Sequence, residues 1–258
     1  MKPFFSIITC TRNNADFIQQ NIDSLSLQTY RNFEHIFIDG KSTDASLEKI
    51  KQYRRKFPRQ VRLFSQTPRG ISAAMNEGIS HARGQYLLHL HADDSLHDLD
   101  VLKDTSAFLS DHRSLAWIYG QISVVEEDGK EVGIFPKRKI LQTASPLLLK
   151  YFNFIPHQAV FIKKSVFSQY GEFDESLSSQ MDYDLWLRIA DHTRWQYLPR
   201  VVGNFMIRAT SQSSSVLNRR LNRKLQLTVQ RRYLPWYQFP LAWTCALLVD
   251  LVNTTYRK

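Results

Sequence analysis

Four short runs of apolar and β-branched residues dominate the first ninety positions: "FFSIITC" (4–10), "FEHIFID" (33–39), "VRLF" (61–64) and "QYLLHL" (85–90). A run such as "FFSIITC", apolar on successive residues, suits a strand covered on both faces, as strands are in a parallel sheet layered with helices. The intervening segments carry helical periodicity instead. Ile18, Ile22 and Leu25 fall at i, i+4 and i+7, behind Asn13, Asn14 and Asp16, which offer a helix start. A second helix opens near "STDAS", and Gly70 precedes a third with Ile71, Ala74, Met75, Gly78 and Ile79 on one face. This βαβαβαβ order predicts an α/β fold, a mostly parallel twisted sheet flanked by helices in a Rossmann-like arrangement.

Beyond residue 100 the alternation loosens. The sequence predicts a helix around 98–110, a strand at "LAWIYG" (115–120), and a hairpin over 123–135 with Asp128-Gly129 at its turn. A strand at "HQAVFI" (157–162) and a helix near 180–191 follow. No internal repeat or low-complexity linker interrupts the chain, which gives one catalytic-type domain over 1–212 and a tail over 213–258. With 258 residues and 43% hydrophobic content the chain can bury a large core.

Charge singles out the tail. From residue 201 onward there are nine Lys or Arg against one acid, Asp250, so eight of the ten net positive charges lie there. Leu217, Leu221, Leu225 and Val229 recur every four residues, flanked by Arg219, Arg220, Arg223 and Lys224. Such a basic amphipathic helix suits an anionic membrane surface, or it packs on the domain with its basic face in solvent. The following "LPWYQFPLAWTCALL" (234–248) supplies aromatic groups of the kind that settle at a membrane interface. No apolar run reaches the roughly 20 residues of a membrane span. The two cysteines, Cys10 and Cys245, have no metal-ligand spacing, and a reducing cytosol suits them. The N-terminus reads as a first strand rather than a signal peptide.

In open α/β sheets ligands bind beyond the carboxyl ends of the strands. In order, those ends are Thr9-Cys10-Thr11-Arg12-Asn13, Asp39-Gly40 and His91-Ala92-Asp93-Asp94. Three polar clusters therefore meet on one edge if the strands are parallel.

These same residues carry a family resemblance. "SIITCTRNNADFIQQNIDSLSLQTYRNFEHIFIDGKSTDAS" (6–46) resembles the opening of the family 2 glycosyltransferases, with its Thr-rich loop, "QTY" turn and "IDGKSTD" strand end. "RGISAAMNEGISHARGQYLLHLHADD" (69–94) resembles the helix and metal-binding aspartate motif of that family, and "HQAVF" (157–161) and "YGEFDESLSSQMDYDLWLRI" (170–189) its acceptor half. The four blocks stand in the family's order over residues 4–190.

The resemblance implies an A-type glycosyltransferase fold, a nucleotide-sugar donor bound by residues 1–100, an acceptor bound by 101–212, and a divalent cation. It also implies inversion at the anomeric carbon and a place in bacterial cell-surface polysaccharide synthesis, with a glycan or lipid-linked acceptor. Asp39 would then receive the base or ribose, Thr9 and Thr11 would lie beside them, Arg12 would reach a phosphate or stand in an exposed ion pair, and Asn76 would contact the donor. Asp93 matches the second acid of the metal motif and would hold Mg²⁺ or Mn²⁺. His91 replaces the first acid; it would touch ribose or phosphate, or favour Mn²⁺ as a ligand. Asp94 is either a further ligand of the cation or the N-cap of the next helix. Asp182, in "QMDYDLWLR", stands where the family places its general base, with Met181 in place of the commoner flanking acid. Asp184 and Arg188 are spaced for an i, i+4 ion pair, and His157 with Gln158 would face the diphosphate or the acceptor.

Two alternatives have weaker sequence support. A sugar-phosphate nucleotidyltransferase of related fold would carry a Gly-rich triphosphate loop, and "TCTRNNADF" has no glycine. A nucleic-acid binder using the basic tail would carry a helix-turn-helix, zinc-finger or RNA-binding aromatic signature, and none accompanies the charge, so no specific nucleic acid is expected. The combined reading is a peripheral enzyme on the inner face of the plasma membrane.

Overall fold

The computed structural model describes residues 2–207 and 216–245, the side chains of 216–220 excepted. Leu217, Arg219 and Arg220 of the amphipathic reading, together with Arg208, Asp250, Arg257 and Lys258, therefore lie outside the described side chains, as does "LAWTCALLVDLV" from residue 246 on.

The elements follow the sequence pattern: β1 (Phe5–Thr11), α1 (Ile18–Ser26), β2 (Phe33–Asp39), α2 (Ser46–Lys56), β3 (Val61–Ser65), α3 (Ile71–His81) and β4 (Tyr86–His89). Then come β5 (Ser95–Leu96), α4 (Val101–Asp111), β6 (Trp117–Val125), β7 (Glu131–Phe135) and α5 (Pro146–Tyr151). A 3-10 turn (His157–Ala159), β8 (Val160–Lys163), α6 (Lys164–Tyr170), α7 (Met181–Ala190), β9 (Trp195–Met206) and α8 (Val216–Tyr233) complete the order.

One nine-stranded sheet runs β3-β2-β1-β4-β8-β6-β9-β5, with β7 paired to β6. The first four strands are parallel neighbours, whereas β8 enters antiparallel between β4 and β6, so the sheet is mixed beyond β4. β1 and β2 are buried at every position, as their unbroken apolar runs predict. Two of their buried polar residues, Ser6 and Glu34, satisfy each other: Ser6 Oγ donates to Glu34 Oε1 (2.7 Å), and Arg62 pairs with the other oxygen (3.1 Å).

Helices cover both faces. Ile8, Ile36 and Ile38 pack with Met75 and Ile79 of α3 on one side, while Phe5, Ile7 and Leu88 pack with Leu25 of α1 and Val101 and Leu102 of α4 on the other. Gly78 permits the close seat of α3 on β1, since a Cβ there would fall 2.3 Å from Ile8 Cγ2. In the second half Trp117 of β6 is sandwiched between Trp195 (4.4 Å between ring centres) and Trp186 of α7 (5.4 Å).

The sequence reading passed over β9, because "WQYLPRVVGNFM" holds Pro199 and Gly203 and lacks the alternation of a strand. It pairs parallel with β6 and antiparallel with β5, and so closes the far edge. None of the described helices is long and apolar enough to cross a membrane.

Candidate active site

The parallel register sets Thr11 of β1 beside Asp39 of β2, so the two strands end level. The loops that follow are fastened together: the Gly40 amide donates to Thr11 O (2.8 Å), the Asn13 amide to Ser42 Oγ (3.0 Å), and the Thr43 amide to Asn13 Oδ1 (2.9 Å). Asn13 (φ +52°) and Lys41 (φ +58°) take left-handed backbone to make these turns. Asp39 is fully buried and its carboxylate accepts the Ser42 amide at 3.1 and 3.3 Å, which leaves lone pairs for a further donor. Arg12 is exposed and lies along Gly40. Thr11 is buried, and its hydroxyl oxygen has no hydrogen-bond partner among the described residues.

The third polar end begins where β4 stops. Asn21, fully buried on α1, donates its amide to the carbonyls of His91 (2.9 Å) and Asp94 (3.1 Å) and so fixes the His91–Asp94 loop. Asp93 is half-buried in that loop. The chain then enters β5 rather than a helix, and α4 begins only at Val101 behind Asp100. Asp94 is therefore not a helix N-cap; the intervening strand separates it from α4.

Three imidazoles gather here. The His91 ring stacks on His157 (5.2 Å, 22° between planes), and His157 lies 5.6 Å from His89, with the Phe173 ring 5.2 Å from His89. Both ring nitrogens of His157 and Nε2 of His89 are buried without a hydrogen-bond partner among the described residues. Burial pulls the His89 pKa down to about 3 and drives that of His157 well below its ordinary value, aided by the neighbouring rings. It lowers His91 too, with Asp93 opposing. The contact joins the end of β4 to the 3-10 turn before β8, and so brings the two halves of the domain together. Gln158 is buried in the same turn.

Asp182 stands in the first turn of α7, after Gln180 in left-handed backbone (φ +65°). Its carboxylate accepts the Tyr183 amide (2.8 Å), and burial raises its pKa, the amide working against the rise. Asp184, two residues on, is buried and paired with Arg188, as the i, i+4 spacing predicts.

Two residues named for the donor are engaged elsewhere. Thr9 is fully buried; its hydroxyl donates to Leu90 O (2.8 Å) and lies 2.9 Å from His35 Nε2, so its side chain links strands of the sheet. Asn76 faces the 171–177 loop: its Nδ2 donates to Phe173 O (2.9 Å) and Glu175 Oε1 (3.2 Å), while Oδ1 accepts the Phe173 amide (3.0 Å). Its position on α3 was legible, but its partner was not, because that partner is ninety-seven residues away. Asn21 and Ser42 are not singled out by the sequence, and Asn13, expected at a helix start, instead ties the two loops together, since α1 begins only at Ile18.

Among the described residues no group of three or more His, Cys, Asp or Glu could hold a metal ion.

The family model for glycosyl transferase family 2 matches residues 6–171. A Mycobacterium tuberculosis protein named PGL/p-HBAD biosynthesis glycosyltransferase is 30% identical over 186 residues, covering 72% of this chain and 69% of its own. An uncharacterized glycosyltransferase of Rickettsia felis is 27% identical over 194 residues, covering 72% of this chain and 31% of its own. Among solved structures, S. aureus TarS 1–349 superposes with a TM-score of 0.70 at 20% identity, covering 96% of this chain and 71% of that one. The mannosyltransferase PcManGT of Pyrobaculum calidifontis, in complex with GDP-Man and Mn²⁺, gives 0.68 at 18% identity, covering 99% and 76%. The mixed sheet with its flanking helices is thus the fold of these glycosyltransferases. The matched region begins in β1 and runs past the His91–His157 contact to the Phe173 loop, so the strand ends that meet in this site belong to a member of glycosyl transferase family 2.

Proposed function

We propose that this glycosyltransferase inverts the anomeric carbon, moving a sugar from a nucleotide-diphosphate donor to a glycan or lipid-linked acceptor of the cell surface. The observation that supports the reading is Asp182, a half-buried carboxylate at the head of α7 whose surroundings raise its proton affinity. A general base takes the acceptor hydroxyl's proton as that oxygen attacks, and a raised proton affinity favours that transfer. Asp39, fixed by Ser42, would accept from the nucleobase or ribose, and the exposed Arg12 would meet a phosphate. Asp93 would hold Mg²⁺ or Mn²⁺ with the donor's phosphates, and His91 or Asp94 would assist. The cation, when bound, neutralises the departing diphosphate. The neutral, stacked His91 and His157 would wall the reacting centre and limit water at the anomeric carbon, with Gln158 alongside.

The solved neighbours supply donor candidates, since structures of TarS with UDP-GlcNAc and of PcManGT with GDP-Man and Mn²⁺ share the fold. Association with the inner face of an anionic membrane is part of the proposal. Arg231 and Lys224 are exposed on α8, and the segment after it presents Trp236 (86% exposed), Tyr237 and Trp243 to solvent.

The test is thermal unfolding with UDP-GlcNAc, UDP-glucose or GDP-mannose, each with and without Mn²⁺. A true donor at 100 times its Kd adds about 2.7 kcal/mol, a rise of roughly 5–10 °C for a chain of this size. No rise with any nucleotide-sugar would refute the donor reading.

A further inference from the structure

Helix α8 reaches back onto the base helix at several places, and Asp182 lies among them. Ahead of it, Ser179 Oγ donates to Asn222 Oδ1 (2.8 Å). Met181 packs in one apolar cluster with Val229, which is fully buried. Gln230, also fully buried, donates Nε2 to the hydroxyl of Tyr183 (3.2 Å) and to Lys150 O (2.9 Å), while that hydroxyl donates to Leu149 O (2.7 Å). The buried Asp184 carboxylate accepts from Arg232 (2.9 Å) and from the Tyr233 hydroxyl (3.0 Å), and Arg232 continues to Asp174 (2.7 Å).

Residues 179, 183 and 184 are therefore all hydrogen-bonded from α8, whereas Asp182 accepts the amide of its own neighbour. In a helix successive side chains are turned by about 100°. The grip on Tyr183 and Asp184 thus leaves Asp182 on a different bearing while fixing the backbone that aims it. The donors are matched to a buried anion: Arg232 and Arg188 are both cations, and Asp184 without them would be a costly lone charge.

We infer that the last two turns of α8 are a positioning clamp for the general base, with Gln230 and Arg232 as its positioning residues. The inference rests on the reading of Asp182 as that base. Neither residue touches substrate; they act through Tyr183 and Asp184 on the placement of the Asp182 carboxylate. A basic helix outside the sheet is in this way tied to the chemistry, and a misplacement of about 1 Å at a reacting group can cost roughly 100-fold in rate.

Two readouts on the full chain test the clamp, in Arg232→Met, Arg232→Lys and the milder Gln230→Ala. The first needs no donor: amide hydrogen exchange over residues 179–186. The clamp predicts about tenfold faster exchange there in Arg232→Met and Gln230→Ala, with β1, β2 and α3 unchanged. Unchanged exchange in 179–186, or equal acceleration across the whole chain, would overturn it. The second readout is turnover of whichever of UDP-GlcNAc, UDP-glucose and GDP-mannose the wild type uses. The expected result is a fall in kcat of roughly 10- to 100-fold with donor KM within about twofold, and substantial recovery in Arg232→Lys. A rise in KM at constant kcat would overturn it. If the wild type turns over none of the three, that bears on the donor reading, and the exchange result alone decides the clamp.

Discussion

Asn76 lies within the family's recognisable helix, yet the structure gives it a mechanical task, and its removal separates the two roles. In Asn76→Ala the amide and carbonyl of Phe173 lose their partners in a buried place. An unsatisfied buried backbone group costs about 1–3 kcal/mol, so the two together cost about 2–6 kcal/mol. The lost bond to Glu175 Oε1 adds little, since that carboxylate is reached by water. At 2–4 °C per kcal/mol for a chain of this size, the midpoint falls by roughly 4–24 °C. Urea titration should show a lower transition midpoint with an unchanged slope, because the surface exposed on unfolding stays the same. Below its new midpoint the variant should bind a donor nucleotide-sugar with near-normal affinity. A stability loss under about 1 kcal/mol, accompanied by a tenfold loss of donor affinity, would refute this and return Asn76 to the donor site.

Three further outcomes follow from other parts of the fold. His35 is fully buried beside Thr9, and burial brings its pKa down to about 3 against 6.5 when free. Between those values the unfolded chain binds a proton that the folded chain does not, so stability falls with acidification, by up to about 1.4 kcal/mol per pH unit; urea titrations at pH 7, 6 and 5 should show a shallower dependence in His35→Gln. Gly78→Ala should cost about 1–3 kcal/mol in the same assay, because the new methyl meets the buried Ile8 of β1 and α3 must lift from the sheet. Asp93→Asn should raise the Mn²⁺ concentration needed for half-maximal transfer by roughly 10- to 100-fold, at least the loss seen when a supporting partner of a ligand is removed.

The first half of the fold was readable because its strands are buried on both faces and announce themselves as unbroken apolar runs. The helix positions Ile18, Ile22 and Leu25 were predicted by period and are buried. β9 was hidden by Pro199 and Gly203, whose cost to the strand is offset by pairing with β6 on one side and β5 on the other. At the site, Asp39 and the His91–Asp94 cluster could be placed at strand ends from the pattern, whereas the roles expected of Asp93 and Asp182 came from the family resemblance. The tasks of Thr9 and Asn76 could not be named, since a hydroxyl or amide declares a capacity for hydrogen bonds but not the partner. That partner is set by packing between Leu90 and Thr9, or between Phe173 and Asn76, across long stretches of chain. The same holds for α8: Gln230 and Arg232 carry no sequence signal of a partner, and only the tertiary structure turns them onto Tyr183 and Asp184.

The most direct test of the proposed chemistry is the rate of sugar transfer by Asp182→Asn against wild type, with the donor identified by thermal shift and Mn²⁺ present, as a function of pH. General-base catalysis contributes about 10²- to 10⁴-fold, so kcat in Asp182→Asn should fall by that factor while donor KM stays within about twofold. In the wild type the rate should rise with pH through an ionisation above the ordinary Asp range, because burial keeps the Asp182 proton on and the base works only once it has left. That limb should vanish in Asp182→Asn. Transfer at the wild-type rate by Asp182→Asn, with the same pH profile, would contradict the assignment of Asp182 as the base.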